Sequence, residues 1–258
     1  MTITAQAPAP KASKGIPMTS LRKTALVAGI FYLITFISIP TLAIYGPVKN
    51  HRDFILGSGS THGVLLGCLL EVIVALAGVG TAVTLYPVVK RQNEGVALGF
   101  VAARVLEGGL IFTGVLSLLS LLTLRQDLGG AGGAHAALVT TGASHVATYN
   151  WTFLFGQTLM PAINALLLGS LMYKSRLVPR IIPVMGLIGA PILIASVIAA
   201  MFRIDQPITV LAAIGTLPVA AWEFSLGVWL VVKGFRPSPI TAGMATASTP
   251  PAYQEAAV

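Results

Sequence analysis

Long apolar stretches follow one another along this chain and are separated by short polar turns. Several reach about 20 residues or more, the length at which an α-helix crosses the roughly 30 Å hydrocarbon core of a bilayer. The pattern predicts an all-α, polytopic membrane protein built as a bundle of six transmembrane helices. We expect these helices at about residues 24–45, 64–89, 96–124, 150–172, 181–202 and 207–232.

The segments on either side of the predicted transmembrane domain, which covers residues 21–235, have a different character. Residues 1–20 are rich in Ala, Pro and Lys and contain no apolar core, and residues 236–258 are similarly of low complexity. Such segments bury too little apolar surface to offset the entropy lost on ordering. We therefore predict a disordered cytoplasmic tail at each end of the chain.

The composition supports the assignment to the membrane. Hydrophobic residues make up 55% of the chain and charged residues only 9%, whereas soluble domains carry about 25% charged residues. A soluble globular domain is therefore excluded.

The basic residues are distributed unevenly between the two sides of the predicted bundle. Four of them, Lys49, Arg52, Arg125 and Arg203, fall on one side. Eleven fall on the side of both termini: Lys11, Lys14, Arg22, Lys23, Lys90, Arg91, Lys174, Arg176, Arg180, Lys233 and Arg236. Because short cytoplasmic loops hold the excess of Lys and Arg, we expect both termini in the cytoplasm of a bacterial cell and the bundle in its inner (plasma) membrane.

The same bias accounts for most of the net charge of +8. We therefore expect the lipid bilayer, and no nucleic acid, as the partner of this surface. A homo-oligomer or a second membrane protein is left open, as is a small-molecule ligand.

Residue types that commonly form catalytic or metal sites are sparse and unpaired. His51, His62, His135 and His145 lie on one side of the bundle, but none forms a His-x-x-x-His pair, and Cys68 is the single cysteine. Gly-x-Ser-x-Gly, His-Glu-x-x-His and phosphate-loop motifs are absent from the sequence. We assign no catalytic, cofactor or metal-binding residue.

Four ionisable side chains lie inside the predicted spans: Glu71, Arg104, Glu107 and Glu223. An ionised group at mid-bilayer costs about 2.5–3.5 kcal/mol, so such groups face protein or a wet cavity. A rise of about 1.5 Å per residue places them at two levels. Glu71 and Glu107 share one level, where we expect them to meet, and Arg104 and Glu223 share the other, where we expect a second contact. Arg104 and Glu107 also share a helix face through their i,i+3 spacing.

Span four adds polar side chains to both levels. Asn150, Gln157 and Asn164 repeat every seven residues and so form one stripe. Gln157 lies near the level of the first two glutamates, and Asn164 near the level of the arginine. Pro161 deprives the Gln157 carbonyl of its helical partner, which predicts a kink and an exposed acceptor suited to a cavity.

The charges of these groups do not balance, because three carboxylates accompany one guanidinium. A buried carboxyl group close to another carboxylate favours its neutral form. We predict that at least one of Glu71 and Glu107 is protonated at neutral pH. The predicted intramembrane polar centre comprises Glu71, Arg104, Glu107, Gln157, Asn164 and Glu223.

Three segments together resemble a known family. They read LLEVIVALAGVGTAVTLYPVVKRQNEGVALGFVAARVLEG, SRLVPRIIPVMGLIGAPILI and LPVAAWEFSLGVWLVVKGF. They are similar to the bacterial six-span family known as domain of unknown function 4386, and the resemblance extends over about residues 21–235. The family's recurring polar positions correspond here to Glu71, Leu85–Pro87, Asn93–Gly95, Arg104, Glu107, Glu223 and Lys233–Phe235. The resemblance implies a fold and a membrane location, and no activity.

Three classes of function remain. The working hypothesis is a structural or partner-binding membrane protein whose polar centre fixes the register of its helices. The first alternative is a small proton-coupled transporter or exporter of an apolar or cationic compound. The second is an intramembrane enzyme that modifies lipid. Glu107→Gln separates the first two classes, because a packing network would lose stability whereas a transporter would fold normally and lose flux. A side portal at Glu71 or Glu223 would favour the enzyme, and a solid dry core would exclude both active classes.

Overall fold

The computed structural model describes residues 20–57, 59–128, 135–202, 208–242 and 244. Within these ranges every regular element is helical, and six helical segments are long and apolar enough to cross a membrane. The prediction of an all-α, multi-pass bundle is confirmed. The predicted tail at residues 1–19 lies outside the described residues.

In the described ranges, only short connections separate consecutive helices. The first span comprises α1 (Ser20–Ile34), a 3-10 turn (Thr35–Ser38) and α2 (Thr41–Ile44). A short α3 (Gly46–Asn50) and a 3-10 turn (Arg52–Leu56) lead to α4 (Thr61–Val89) and α5 (Glu94–Leu128). Span four joins α6 (His135–Phe153), a π-helical segment (Leu154–Leu159) and α7 (Met160–Ser175). The last two spans are α8 (Ile181–Met201) and α9 (Ile208–Val232).

The observed helices agree with the predicted spans within a few residues, except at span four. That helical segment begins at His135 rather than near residue 150. Hydropathy marks only the apolar part of a helix, and the residues before Asn150 include several Thr, Ser and His that lower it without ending the helix.

The six spans form a closed ring in chain order. Each packs on its neighbours in the chain, and α9 returns to pack on α1. This closing contact is tight, since a Cβ atom at Gly29 would lie 2.8 Å from the carbonyl oxygen of Gly227. Small residues permit such close approach of helices in membranes.

The two faces of α4 differ, one being apolar and exposed and the other buried in the ring together with an ionisable side chain. Leu69, Leu76 and Val83 recur every seven residues and are 57%, 60% and 60% exposed. Glu71 and Leu85 lie on the other face and are fully buried. The exposed apolar stripe is the face expected toward lipid, whereas in water a patch of this kind would mark an interface.

One end of the ring, which we call the basic end, holds the turn between α4 and α5 and the turn between α7 and α8. Here α9 ends at Val232, and Gly234 beyond it has a φ of +75°, a left-handed conformation that favours glycine. The N–H groups of Lys233 and Gly234 donate to the Trp229 carbonyl at 2.8 and 3.1 Å. Arg22 donates to the carbonyls of Leu230 and Val231, which ties α1 to the end of α9.

The chain beyond α9 packs on the α7–α8 turn. The N–H of Arg236 donates to the Leu177 carbonyl at 2.8 Å, and Ser238 Oγ donates to the Ser175 carbonyl at 2.7 Å. Residues 236–242 fall in the segment predicted to be disordered, but they are part of the packed structure. Low-complexity composition does not reveal such hydrogen bonds to a neighbouring turn. Residues 243 and 245–258 lie outside the described residues.

At the other end of the ring, which we call the opposite end, one arginine binds the loop before α4. Arg125 donates to the carbonyls of Phe54, Gly57 and Gly59 at 2.9, 2.9 and 2.7 Å. Its guanidinium carbon also lies 4.3 Å from the centre of the Phe54 ring. The last turns of α5 therefore fix the connection between the first two spans.

Candidate functional site

Arg104 bridges two carboxylates at the centre of the ring. Its Nη1 donates to both carboxylate oxygens of Glu107 at 3.2 and 3.0 Å, and its Nη2 donates to Glu223 at 2.6 Å. Asn164 Nδ2 donates to Glu107 at 2.6 Å. We call these four side chains the charged centre. They connect α5, α7 and α9 in the membrane interior.

The charged centre is largely buried, and part of its hydrogen-bonding capacity is unused. Arg104 is 1% exposed, and its guanidinium carbon lies 5.3 and 5.8 Å from the centres of the Tyr32 and Phe100 rings. These distances suit cation–π attraction. Among the described residues, Arg104 Nε and Asn164 Oδ1 have no hydrogen-bond partner.

A second cluster surrounds Glu71, which is fully buried. Its carboxylate accepts hydrogen bonds from Tyr149 Oη at 2.7 Å, Gln157 Nε2 at 2.8 Å and Tyr45 Oη at 3.2 Å. The two tyrosine rings meet edge to face with their centres 5.2 Å apart. We call these four residues the Glu71 cluster. It surrounds the carboxyl group with neutral donors, and the described residues place no direct ion pair on it.

The structure shows some of the contacts expected from the sequence and replaces others. The contacts of Arg104 with Glu223 and of Gln157 with Glu71 are present. Glu107 bonds Arg104 and Asn164 rather than Glu71. The reason is that Arg104 and Glu107 lie three residues apart on one helix, where opposite charges meet.

Two residues of the Glu71 cluster were missed. Tyr45 ends the first span and Tyr149 precedes the predicted start of span four, so both look like ordinary interfacial tyrosines. The one available signal is that a tyrosine hydroxyl needs a partner when it is buried. Both are 1–2% exposed.

Span four widens where Gln157 points into the ring. The segment Leu154–Leu159 is a π-helix, and the N–H of Met160 donates to the Phe155 carbonyl five residues back. Pro161 follows directly and has no N–H to offer the Gln157 carbonyl. The kink predicted at Pro161 therefore takes the form of a π-helical turn in span four. Such turns are frequent at functional sites.

A cleft of about 830 Å³ opens between span one, span four, α8 and α9. Its walls are mostly apolar, and Gln157 and Glu223 both line it. Glu223 exposes 12% of its side chain, whereas Arg104 beneath it exposes 1%. Ala212, near the start of α9, lines the same cleft. The cleft therefore extends about 16 Å along α9, at about 1.5 Å per residue, from the opposite end to the charged centre.

The cleft joins the two polar clusters, since Gln157 belongs to one and Glu223 to the other. Its volume and apolar lining with a few polar groups are typical of a site for a small organic molecule. Its other polar lining residues are Asn150, Thr158, Ser196 and Thr216. In the described part of the chain, no group of three or more His, Cys, Asp or Glu side chains is placed to bind a metal ion.

Comparison with known proteins places the chain in a family. No significant match is found among curated proteins or among solved structures. The model of one family, described as Domain of unknown function (DUF4386), matches residues 27–234. These residues include most of the first span, the other five spans, both polar clusters and the cleft. The chain belongs to the DUF4386 family.

Proposed function

We propose that this chain binds an amphiphilic organic cation in the cleft and carries it across the membrane. The observation that supports this most directly is the carboxylate of Glu223 at the inner end of an apolar cleft. The proposal favours the transporter alternative over the working hypothesis of a purely structural or partner-binding protein.

The charge of the site selects the ligand class. The charged centre contains two carboxylates and one guanidinium. If all three are ionised, the centre is negative by one unit, and a cation in the cleft would balance it. The guanidinium lies behind Glu223, so an anion entering the cleft would meet the carboxylate first. The apolar walls suit the body of an amphiphile.

A structural role explains less of the geometry. The bonds from Arg104 to Glu107 and Glu223 do fix α5 against α9. A network that served only to fix helix register would be cheapest in a closed, dry core, because unshielded polar groups in a membrane are costly. A cleft that ends on one of its carboxylates has no role in such a network.

The cleft does reach Glu223, as the hypothesis of an intramembrane lipid-modifying enzyme requires, but the remaining geometry supports that enzyme less than transport. The serine in the cleft, Ser196, donates to the Leu193 carbonyl at 2.7 Å, and Glu223 is paired with Arg104. A nucleophile needs a general base within hydrogen-bond reach. The described cleft residues do not place one beside Ser196.

We infer that the protein lies in the inner (plasma) membrane of a bacterial cell, with both termini in the cytoplasm. The excess of Lys and Arg at the basic end supports this orientation. The cleft would then open toward the outside. The proposal requires the bilayer as a partner and no nucleic acid.

The direct test measures binding to the purified protein by equilibrium dialysis. Tetraphenylphosphonium is the cationic probe, and triphenylphosphine oxide is a neutral compound of related shape. Glu223→Gln should weaken binding of the cation at least tenfold, about 1.4 kcal/mol, and leave binding of the neutral compound within twofold. Glu94→Gln, which removes an exposed carboxylate at the first residue of α5, is the matched control.

Uptake of the same probe into proteoliposomes then tests transport. Because this lipophilic cation also crosses bilayers unaided, protein-free liposomes give the background. Wild-type protein should move the cation faster than that background, and Glu223→Gln should not. Cation binding that is equal in wild type and Glu223→Gln, or absent from both, would overturn the proposal.

A further inference from the structure

The geometry points to Arg104 as a shared counter-ion that makes the ligand at Glu223 and a proton on Glu107 mutually exclusive. This inference rests on the proposed function and names how the same site is regulated. The guanidinium is divided between two carboxylates through different nitrogen atoms, Nη1 for Glu107 and Nη2 for Glu223. Whatever neutralises one carboxylate therefore changes the hold of Arg104 on the other.

The consequence for the cleft follows from simple competition. When Glu107 is ionised, it competes for Arg104, and Glu223 can exchange its guanidinium partner for a cationic ligand. When Glu107 takes up a proton, Arg104 retains Glu223 as its single anionic partner. A cation entering the cleft must then displace the guanidinium from Glu223 while Arg104 has no other carboxylate to bind, so the ligand is released.

The proton-bound state and the cation-bound state of the charged centre have the same net charge, which is zero. With a proton on Glu107 and no ligand, one guanidinium faces one carboxylate and the centre is neutral. With a monovalent cation at Glu223 and Glu107 ionised, two positive charges face two negative charges and the centre is again neutral. One cation enters and one proton leaves to bulk solution. The state with neither is negative, and net charge in a membrane interior is costly.

Asn164 is suited to both protonation states of Glu107. Its Nδ2 now donates to the carboxylate at 2.6 Å, and its Oδ1 has no partner among the described residues. An amide carries two donors at one end and an acceptor at the other. Rotating the amide by half a turn would present Oδ1 to accept a hydrogen bond from the protonated acid. The residue beside Glu107 thus loses no hydrogen bond in either state.

Other titratable groups lie around Glu107, and experiment must distinguish their contribution to the pH dependence from that of Glu107. Tyr32 on α1 lies under Arg104, and Glu223 on α9 shares that guanidinium. Glu71 on α4, which packs on α5, is occupied by three neutral donors. Asn164 on α7 does not titrate. Glu223 and Glu71 are therefore the rival carboxylates, and each can be replaced by glutamine.

The first measurement is the pH dependence of tetraphenylphosphonium affinity in the full-length protein. Affinity should rise with pH, by up to tenfold per unit where one proton is released for each ligand bound. Glu107→Gln mimics the protonated acid. It should lower affinity to the level of wild type at acidic pH and abolish the slope. Glu71→Gln should retain the slope.

Each alternative gives a different result. A slope that persists in Glu107→Gln would overturn the inference, because protonation of Glu223 itself would then explain the pH dependence. A slope lost in Glu71→Gln would overturn it in favour of the other cluster. Absence of cation binding in the wild type at every pH would refute the proposed function instead.

A second measurement uses the wild-type protein alone, so it can be made even if Glu107→Gln fails to fold. Calorimetric titration of wild type in two buffers of different ionisation enthalpy gives the number of protons released. We expect close to one proton per bound cation near the midpoint of the slope. Infrared difference spectra on ligand addition should show loss of a protonated carboxyl band. Zero proton release across the pH range would overturn the inference.

Discussion

The ring of Tyr45 lies directly against Gly67, so that a Cβ atom at position 67 would come within 2.7 Å of Tyr45 Cζ and 2.8 Å of Tyr45 Oη. The same hydroxyl donates to Glu71, one turn further along α4. The absence of a side chain at position 67 is therefore what allows Tyr45 to reach the carboxylate.

Gly67→Ala should displace Tyr45 and destabilise the protein. The ring is 1% exposed and has little room to move, and overpacking a filled core costs about 1–3 kcal/mol. We expect a lower melting temperature in detergent, measured by the fluorescence of the native tryptophans.

Gly63→Ala is the matched control, since it lies one turn earlier on the same helix. A Cβ atom there would meet Ile44 Cγ2 at 3.5 Å, an ordinary contact. This variant should melt close to wild type. Equal destabilisation by both substitutions would show that helix propensity or membrane insertion, and not the contact with Tyr45, is responsible.

Removal of Arg104 should be among the most damaging single changes in the chain. Arg104→Leu leaves Glu107 and Glu223 buried without their common cation, and loss of one partner of a buried ion pair costs about 3–5 kcal/mol. We expect a large loss of monodisperse protein in size-exclusion chromatography. Combining it with Glu107→Gln and Glu223→Gln removes the uncompensated charges and should restore most of the yield. A triple variant as unstable as Arg104→Leu would show that packing of the arginine side chain dominates.

Arg125→Lys should loosen the connection between the first two spans. A lysine ammonium cannot reproduce the planar fork that meets three carbonyls and covers the Phe54 ring. Hydrogen–deuterium exchange of residues 52–57 should accelerate at least tenfold, while exchange in α8 stays unchanged. Arg52→Lys, at an exposed position of the same connection, is the control. Unchanged exchange in Arg125→Lys would contradict the role of Arg125.

Cysteine labelling tests the proposed orientation. The native Cys68 is 3% exposed and should not react, and Cys68→Ala provides the background. A membrane-impermeant maleimide on intact cells should label His62→Cys at the opposite end. It should label Gln92→Cys at the basic end only after lysis. The reverse pattern would place the termini outside the cell.

The fold was predictable because hydropathy can be read from the sequence and the rise per residue of an α-helix is constant. Rise along the axis also placed Arg104 with Glu223 and Gln157 with Glu71. Rotation about the axis was less predictable. Glu107 bonds the guanidinium on its own helix, and which partner it bonds depends on the helices packed around it.

The remaining features needed the tertiary structure. The cleft lies between the π-helical segment before Pro161 in span four and the closely packed pair α8 and α9. The hydroxyls of Tyr45 and Tyr149 reach Glu71 from the ends of two different spans. Neither arrangement leaves a periodic trace in the sequence.

The closed ring has a consequence for biosynthesis. A chain made from its N-terminus inserts α5 before α9 exists, so Arg104 must enter the membrane without Glu223. Glu107, three residues along, provides a partner on the same helix and lets that segment insert as a neutral pair. The contact with Glu223 forms only when the last helix joins α1 and α8. The salt bridge to α9 therefore marks the completion of assembly, and truncated chains lacking α9 would expose an incomplete centre to quality control.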